Sequence, residues 1–261
     1  VTPAPLAVPR APDVVAAVSD AEYGRLLGLP RGRAVSDDVA GRAAEARRWY
    51  AGHGRPFVAV RRSELIEIGA DYVRTASGHR IAGSALADRL RAGEAHALVV
   101  AAVSAGPEVA EEAARLWAAE RPDESYFLDR LAAAVAERLI WHASAVACSD
   151  ATPAGEAMLP HLSPGCGRWG LEAQHDLMTM LLGHDPEMRG VPAGDGELPL
   201  GPVTLLASGA LRPQHSLLAA LGVTRRAIVA TPESSCRCCA LARCRFRRAA
   251  YRPEAGPGAT A

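Results

Sequence analysis

The chain is 261 residues long, 49% hydrophobic, and balances 29 Lys and Arg against 29 Asp and Glu. That neutrality gives no reason to expect nucleic acid or an anionic membrane as the main partner, and no apolar run approaches the ~20 residues of a membrane span. With aromatic residues at only 5%, the core must be built mainly from Ala, Leu and Val.

Residues 1–15, rich in Pro and Ala, read as a flexible arm. The arm lacks the basic and apolar regions of a signal peptide, so a cytoplasmic address is expected. Ser19 or Asp20, with Glu22 close behind, is an N-cap for a helix that stops at Gly28-Leu-Pro30. A second helix is expected over residues 37–52, with Ala40, Ala44 and Trp49 on one side. Residues 56–61 read as a strand and residues 64–68 as a weaker second one, with helix again over 84–90. The apolar run over residues 95–103, bounded by Gly93 and by Ser104-Ala-Gly-Pro107, is a buried strand.

Pro107, followed by Glu108, Glu111 and Glu112, opens a helix through Glu120. An Ala-rich helix then covers residues 125–148, with Glu137 at its middle; Asp129 and Arg130 read as surface charges or a local ion pair. Residues 190–201 form a Pro/Gly linker and residues 202–207 a strand. Residues 217–221 and 227–230 read as closing strands. Helices and strands mix without strict βαβ alternation, which argues for an α+β fold. No strand is followed by a Gly-x-Gly-x-x-Gly or Walker loop, so nucleotide-phosphate chemistry is unsupported. The body of the domain is expected over residues 16–235, followed by a Cys/Arg-rich tail over 236–261.

Four of the six cysteines fall in that tail, between Cys236 and Cys244. Cys236, Cys239 and Cys244 have a Cys-x2-Cys knuckle of the kind that holds structural zinc. Cys238 and Cys166 are candidates for a fourth ligand, and a three-thiol iron–sulfur site or simply reduced thiols are the alternatives.

The richest stretch is His161-Leu-Ser-Pro-Gly-Cys-Gly-Arg-Trp-Gly-Leu-Glu-Ala-Gln174. Pro164 fixes φ and Gly165 permits φ > 0, so the chain turns tightly and its main-chain amides can approach a small ligand. Trp169 and Leu171 anchor the exit, and Leu177, Met178, Leu181 and Leu182 continue at helical spacing. This stretch resembles the Arg-x-x-x-Gly-Tyr loop of the S-adenosylmethionine-binding activation domain of cobalamin-dependent methionine synthase. Stand-alone relatives often write the loop as Arg-Phe-Ser-Pro-Gly-Tyr-Gly-x-Trp-x-Leu-x-x-Gln. Ser163, Pro164, Gly165, Gly167, Trp169, Leu171 and Gln174 fit that pattern, whereas His161 stands for the Arg and Cys166 for the Tyr. Residues 20–28, 99–107, 132–137, 211–216 and the cysteine-bearing tail are similar to further family segments in the same order.

The resemblance implies a single α+β domain around a twisted, mainly antiparallel sheet with flanking helices, and S-adenosylmethionine (AdoMet) in a shallow groove. It implies that Asp20 and Glu137 lie near the ligand's amino-acid end, and that Ser163, Gly165, Trp169 and Ser216 line the ligand. The bland readings beside these are an N-cap for Asp20, a solvated helix position for Glu137, a half-buried polar residue for His161 and an inert small side chain for Cys166.

The two departures alter the chemistry. Arg grips a carboxylate in a permanently charged, two-pronged manner, and His does not. Losing Tyr removes a flat surface for a corrin ring. His161 and Cys166 are instead groups that accept a proton, and AdoMet carries its own electrophile at Cγ. A base, with His161, Cys166 and Glu137 as candidates, would let Cα attack Cγ, releasing methylthioadenosine and 1-aminocyclopropane-1-carboxylate without pyridoxal phosphate. Attack by the α-amine would give the four-membered azetidine acid. The expected function is therefore a stand-alone AdoMet-consuming enzyme. The alternatives are a reactivation partner for a corrinoid-dependent methyltransferase, or a non-catalytic AdoMet sensor or metal-stapled interaction module.

Overall fold

The computed structural model describes residues 8–30, 35–166, 168–183 and 197–228. Strand β4 (Ala97–Ser104) is buried at every position, which requires cover on both faces of its sheet. Its alternation supplies two cores. Ala97, Val99, Ala101 and Val103 point into one cluster, while Leu98, Val100 and Ala102 point into the other.

Six strands make the main sheet in the order β3-β2-β1-β4-β9-β5. They are β1 (Phe57–Ile68), β2 (Tyr72–Thr75), β3 (Arg80–Ala82), β4, β5 (Ala157–Met158) and β9 (Ser216–Thr224), and every neighbouring pair is antiparallel. A small second sheet joins β6 (Leu198–Leu200), β7 (Val203–Leu205) and β8 (Leu211–Arg212). One face of the main sheet is covered by α1 (Ala11–Ala17), α2 (Asp20–Leu26), α3 (Asp37–His53), α5 (Glu108–Ala118) and α6 (Pro122–Ala151). The other is covered by α4 (Ser84–Ala92), α7 (Ala173–Leu182) and the small sheet. The α+β class and the mainly antiparallel sheet expected from the sequence are both present.

Helix α6 is the spine of the first layer. Leu128, Leu131, Val135 and Leu139 recur at helical spacing on its buried face, and Ala132, Ala136, Ala143 and Ala147 let it lie close to its neighbours. By length and composition alone the helix is apolar enough to cross a bilayer. More than half of its apolar window is buried inside the fold, however, as in a core helix.

Several elements differ from the sequence expectation. Residues 11–15, read as part of an arm, belong to α1 (Ala11–Ala17) and bury Ala11, Val14 and Val15. Pro12 sits in the first turn, where its missing N–H costs nothing. The two strands expected over 56–68 are the single strand β1, which pairs first with β4 and then, across a bulge, with β2. The inner face of α3 is carried by Val39, Ala43, Ala46 and Tyr50, and Ala40 is exposed. Residues 217–221 belong to the nine-residue β9, and Ala227 and Ile228 are irregular.

Two ties close the far ends of the main sheet. The Trp169 indole N–H donates to the Ala82 carbonyl (2.7 Å), and the Ala82 N–H donates to the Asp176 carboxylate (2.8 Å), fastening β3 to the segment entering α7 and to α7 itself. At the β5 side, the Arg62 guanidinium (2.7 Å) and the His96 ring (2.8 Å) hold Glu156, whose side chain is 6% exposed. These partners, Arg62 first, hold the Glu156 carboxyl at about 2, below its ordinary 4.5.

Gly83 has φ +146°, and a Cβ there would meet the Trp169 Nε1 at 2.3 Å. Gly83→Ala is expected to lower unfolding free energy by roughly 3 kcal/mol in urea titrations, through strain and displacement of the indole. For Glu156, the stabilisation is fully present above about pH 4.5 and is lost as pH falls towards 2. Urea midpoints of Glu156→Gln are therefore expected to fall less steeply through that window than those of the wild type.

Candidate functional site

After β5 the chain continues along the outer edge of β9. Leu159 N–H donates to Gly222 O, and Leu162 and Ala220 exchange both backbone hydrogen bonds (2.9 and 2.8 Å). The turn then closes on itself. Gly165, at φ +86°, donates to Trp169 O (2.8 Å), Cys166 donates to Ser163 O (3.0 Å) and Trp169 donates to Cys166 O (3.2 Å). The tight turn expected at Pro164-Gly165 is present, but the amides of Gly165, Cys166 and Trp169 are used within it. Trp169 is 2% exposed and acts as a support, whereas Leu171, expected as a second anchor, is 53% exposed.

α6 runs beside this edge in the same sense as β9. Asp129 on α6 meets His215 just before β9, and Trp141 meets His161. A stripe at four-residue spacing, Asp129, Ala133, Glu137 and Trp141, therefore borders the strand edge and the loop. His161 lies edge-on to Trp141 with ring centroids 5.4 Å apart, and Trp141 stands one helical turn beyond Glu137 on α6. Cys166 is exposed at the turn.

The two acidic candidates are ion-paired. Arg25 of α2 donates to Glu137 (2.9 Å), with the guanidinium side chain only 9% exposed. Arg47 of α3 donates to the exposed Asp20 (3.0 Å) and to the carbonyls of Val15 and Val18. Arg138 pairs with Glu22, whose own side chain completes a capping box with Ser19. Ser19, rather than Asp20, is the cap, so Asp20 occupies the first helical position. This network of separated partners ties α2 to α6 and α3 to α2. Single-residue sequence patterns carry no signal for it.

At the other end of the stripe the His215 Nε2 lies 2.7 Å from Asp129 Oδ1. Asp129 also accepts from Arg130 Nε (2.9 Å), the local ion pair expected from the sequence. Burial alone would push the Asp129 carboxyl up, but His215 and Arg130 outweigh it and hold it below its usual range. Ser216 shares the parity of Leu218 and Ala220, so it faces the α7 layer, where its hydroxyl is buried without a partner. The structure thus places His161 against Trp141 of α6 and the Ser163–Cys166 turn just beyond the edge of β9, while Glu137 pairs with Arg25 of α2, Asp20 lies on α2 and Ser216 turns to the opposite face. Cys236, Cys239 and Cys244 lie outside the described residues. Among the described residues no group of His, Cys, Asp and Glu is arranged to hold a metal ion. A separate cavity of about 480 Å³ between α3 and α5 is lined by Trp49, His53, Arg55, Glu108, Glu112 and Arg115, and includes none of the expected site residues.

No family model and no curated protein matches the sequence. Among solved structures, the chain is similar to the crystal structure of the MetH reactivation domain bound to AdoHcy. The TM-score is 0.58 at 12% identity, over 88% of this chain and 82% of that one. The chain has that domain's fold. At 12% identity the likeness is one of architecture, and it meets the fold expectation drawn from the Ser-Pro-Gly loop.

Replacing Arg25 and Glu137 singly and together is expected to reveal a coupling of about 1–2 kcal/mol in urea titrations, between the values for exposed and fully buried pairs.

Proposed function

We propose that this chain binds AdoMet in the groove between α6, the outer edge of β9 and the turn at residues 163–166. The observation carrying the reading is a fold shared with a domain bound to AdoHcy, combined with a Ser-Pro-Gly turn set against that edge. The ligand's amino-acid end lies towards Glu137 and His161 and its nucleoside towards His215. Glu137 is matched by Arg25, so a carboxylate and an ammonium on the ligand meet a balanced pair of charges rather than a lone anion.

We further propose that the groove acts on AdoMet as a stand-alone enzyme. Loss of a Cα proton leaves an electron pair that closes a Cα–Cγ bond. The Cγ–S bond breaks with its pair on sulfur, giving neutral methylthioadenosine and 1-aminocyclopropane-1-carboxylate. Holding the methionyl chain folded supplies proximity. His161, Cys166 and Glu137 are the proton-accepting candidates, and Glu137 already holds Arg25. A second reading, reactivation of a corrinoid-dependent methyltransferase, is favoured by the nature of the structural neighbour. His161 and Cys166, in place of Arg and Tyr, weigh against it.

Calorimetry with AdoMet and AdoHcy, followed by mass spectrometry of AdoMet incubations, tests both levels. Saturable binding with time-dependent methylthioadenosine and a cyclic amino acid is the expected result. Binding without products above the protein-free control overturns the enzyme reading, and absence of binding overturns both. Association with a cobalamin-loaded methyltransferase without turnover would support the second reading.

A further inference from the structure

An edge strand carries backbone groups that no neighbouring strand receives. β3 is such a strand, three residues long at the margin of the main sheet. Its last residue, Ala82, stands opposite Tyr72 of β2, yet both of its backbone groups go to side chains. The Ala82 N–H donates to Asp176 Oδ2 (2.8 Å), and its carbonyl accepts from Trp169 Nε1 (2.7 Å). The following amide, that of Gly83, returns to the sheet at Asp71 O (2.7 Å). At this one position two side chains take the place of a neighbouring strand.

The two grips differ in stiffness. Asp176 lies in the first turn of α7, a helix anchored by the buried Leu177, Met178 and Leu181, and a carboxylate there is favoured by the helix dipole. Trp169 lies in an irregular segment, and its backbone is the one on which the preceding turn closes. Its carbonyl accepts from the Gly165 N–H (2.8 Å), and its N–H donates to Cys166 O (3.2 Å). The ring is 2% exposed and lies so close to the end of β3 that a Cβ on Gly83 would meet Nε1 at 2.3 Å. Fixing the ring therefore fixes the residue that closes the turn. Ala82 is the member shared by both grips. Without the carboxylate its N–H loses an acceptor, and the end of a three-residue strand is held on its outer side by the indole alone.

We propose that Asp176 is a positioning residue of the AdoMet site: through Ala82 it sets Trp169, and through Trp169 it sets the Ser163–Cys166 turn. The assignment to a ligand site rests on the AdoMet reading, whereas the relay of contacts is a property of the free protein.

Amide hydrogen exchange without ligand and calorimetry with AdoHcy test the two parts separately. Asp176→Ala is expected to speed exchange at the Gly165 and Trp169 amides by about tenfold or more, with the amides of β4 unaffected. The Trp169 indole N–H resonance is expected to move upfield as its hydrogen bond weakens. Asp176→Asn keeps an oxygen for Ala82 and is expected to restore most of the protection. Trp169→Phe, which lacks the indole donor, is expected to speed the same amides, and adding Asp176→Ala to it should change them no further. AdoHcy affinity is expected to fall about tenfold in Asp176→Ala and to recover in Asp176→Asn. Unchanged exchange at Gly165 and Trp169, additive effects in the double variant, or an equal loss of protection in β4 overturns the relay. Faster exchange in the turn with unchanged AdoHcy affinity overturns the role of Asp176 at the site and leaves the AdoMet reading intact. Failure of the wild type to bind AdoHcy overturns the AdoMet reading and the assignment to that site with it, while the exchange data still decide whether Asp176 sets the turn.

Discussion

The pairing of β4 with β9 is the constraint on which the rest of the molecule depends. Both strands are apolar on both faces, and such a pair survives in water only between two covering layers. The helical layer is dominated by α6, whose alanines allow it to run close beside β9. That closeness brings a polar stripe of the helix against the strand's outer edge. The proposed site is thus a by-product of burying the sheet: a helix packed for its apolar face carries a polar flank to the strand edge that β5 pairs only at its end.

Charge on this flank is arranged in pairs rather than left as isolated ligands. Glu137, Asp20, Glu22 and Asp129 each have a cationic partner drawn from a different part of the chain or from the next residue. On the proposed reading, a sulfonium amino acid, which brings its own positive and negative groups, would be received by exchanging ion pairs. The energetic gain is a difference between similar terms, which favours selectivity over raw affinity.

Much of the architecture was legible in the sequence where a pattern was long. The apolar run of β4, the Ala-rich α6 and the capped start of α2 each announce themselves locally. β2 and β3 did not, because they are three or four residues long and alternate with Arg. α1 was hidden by Pro12 and the prolines before it, although a proline in the first turn is compatible with a helix. At the site, the turn at Pro164-Gly165 was readable because two residues fix it. The partnership of Arg25 with Glu137, 112 positions apart, was not, since it is created only when α2 lies on α6. His215 lay within a segment that had been noticed, but its significance depended on Asp129, which looked like any surface acid.

The clamp at Ala82 has a consequence for how this groove is kept in shape. One residue of β3, Ala82, at the edge of the sheet most distant from β5, accepts the indole proton of Trp169 at its carbonyl and donates its own N–H to Asp176. The turn is therefore supported from across the sheet as well as by the strand it borders. Remodelling the β2–β3 hairpin would be felt in the groove without touching a single residue that lines it, so one margin of the domain acts as the keystone for the other.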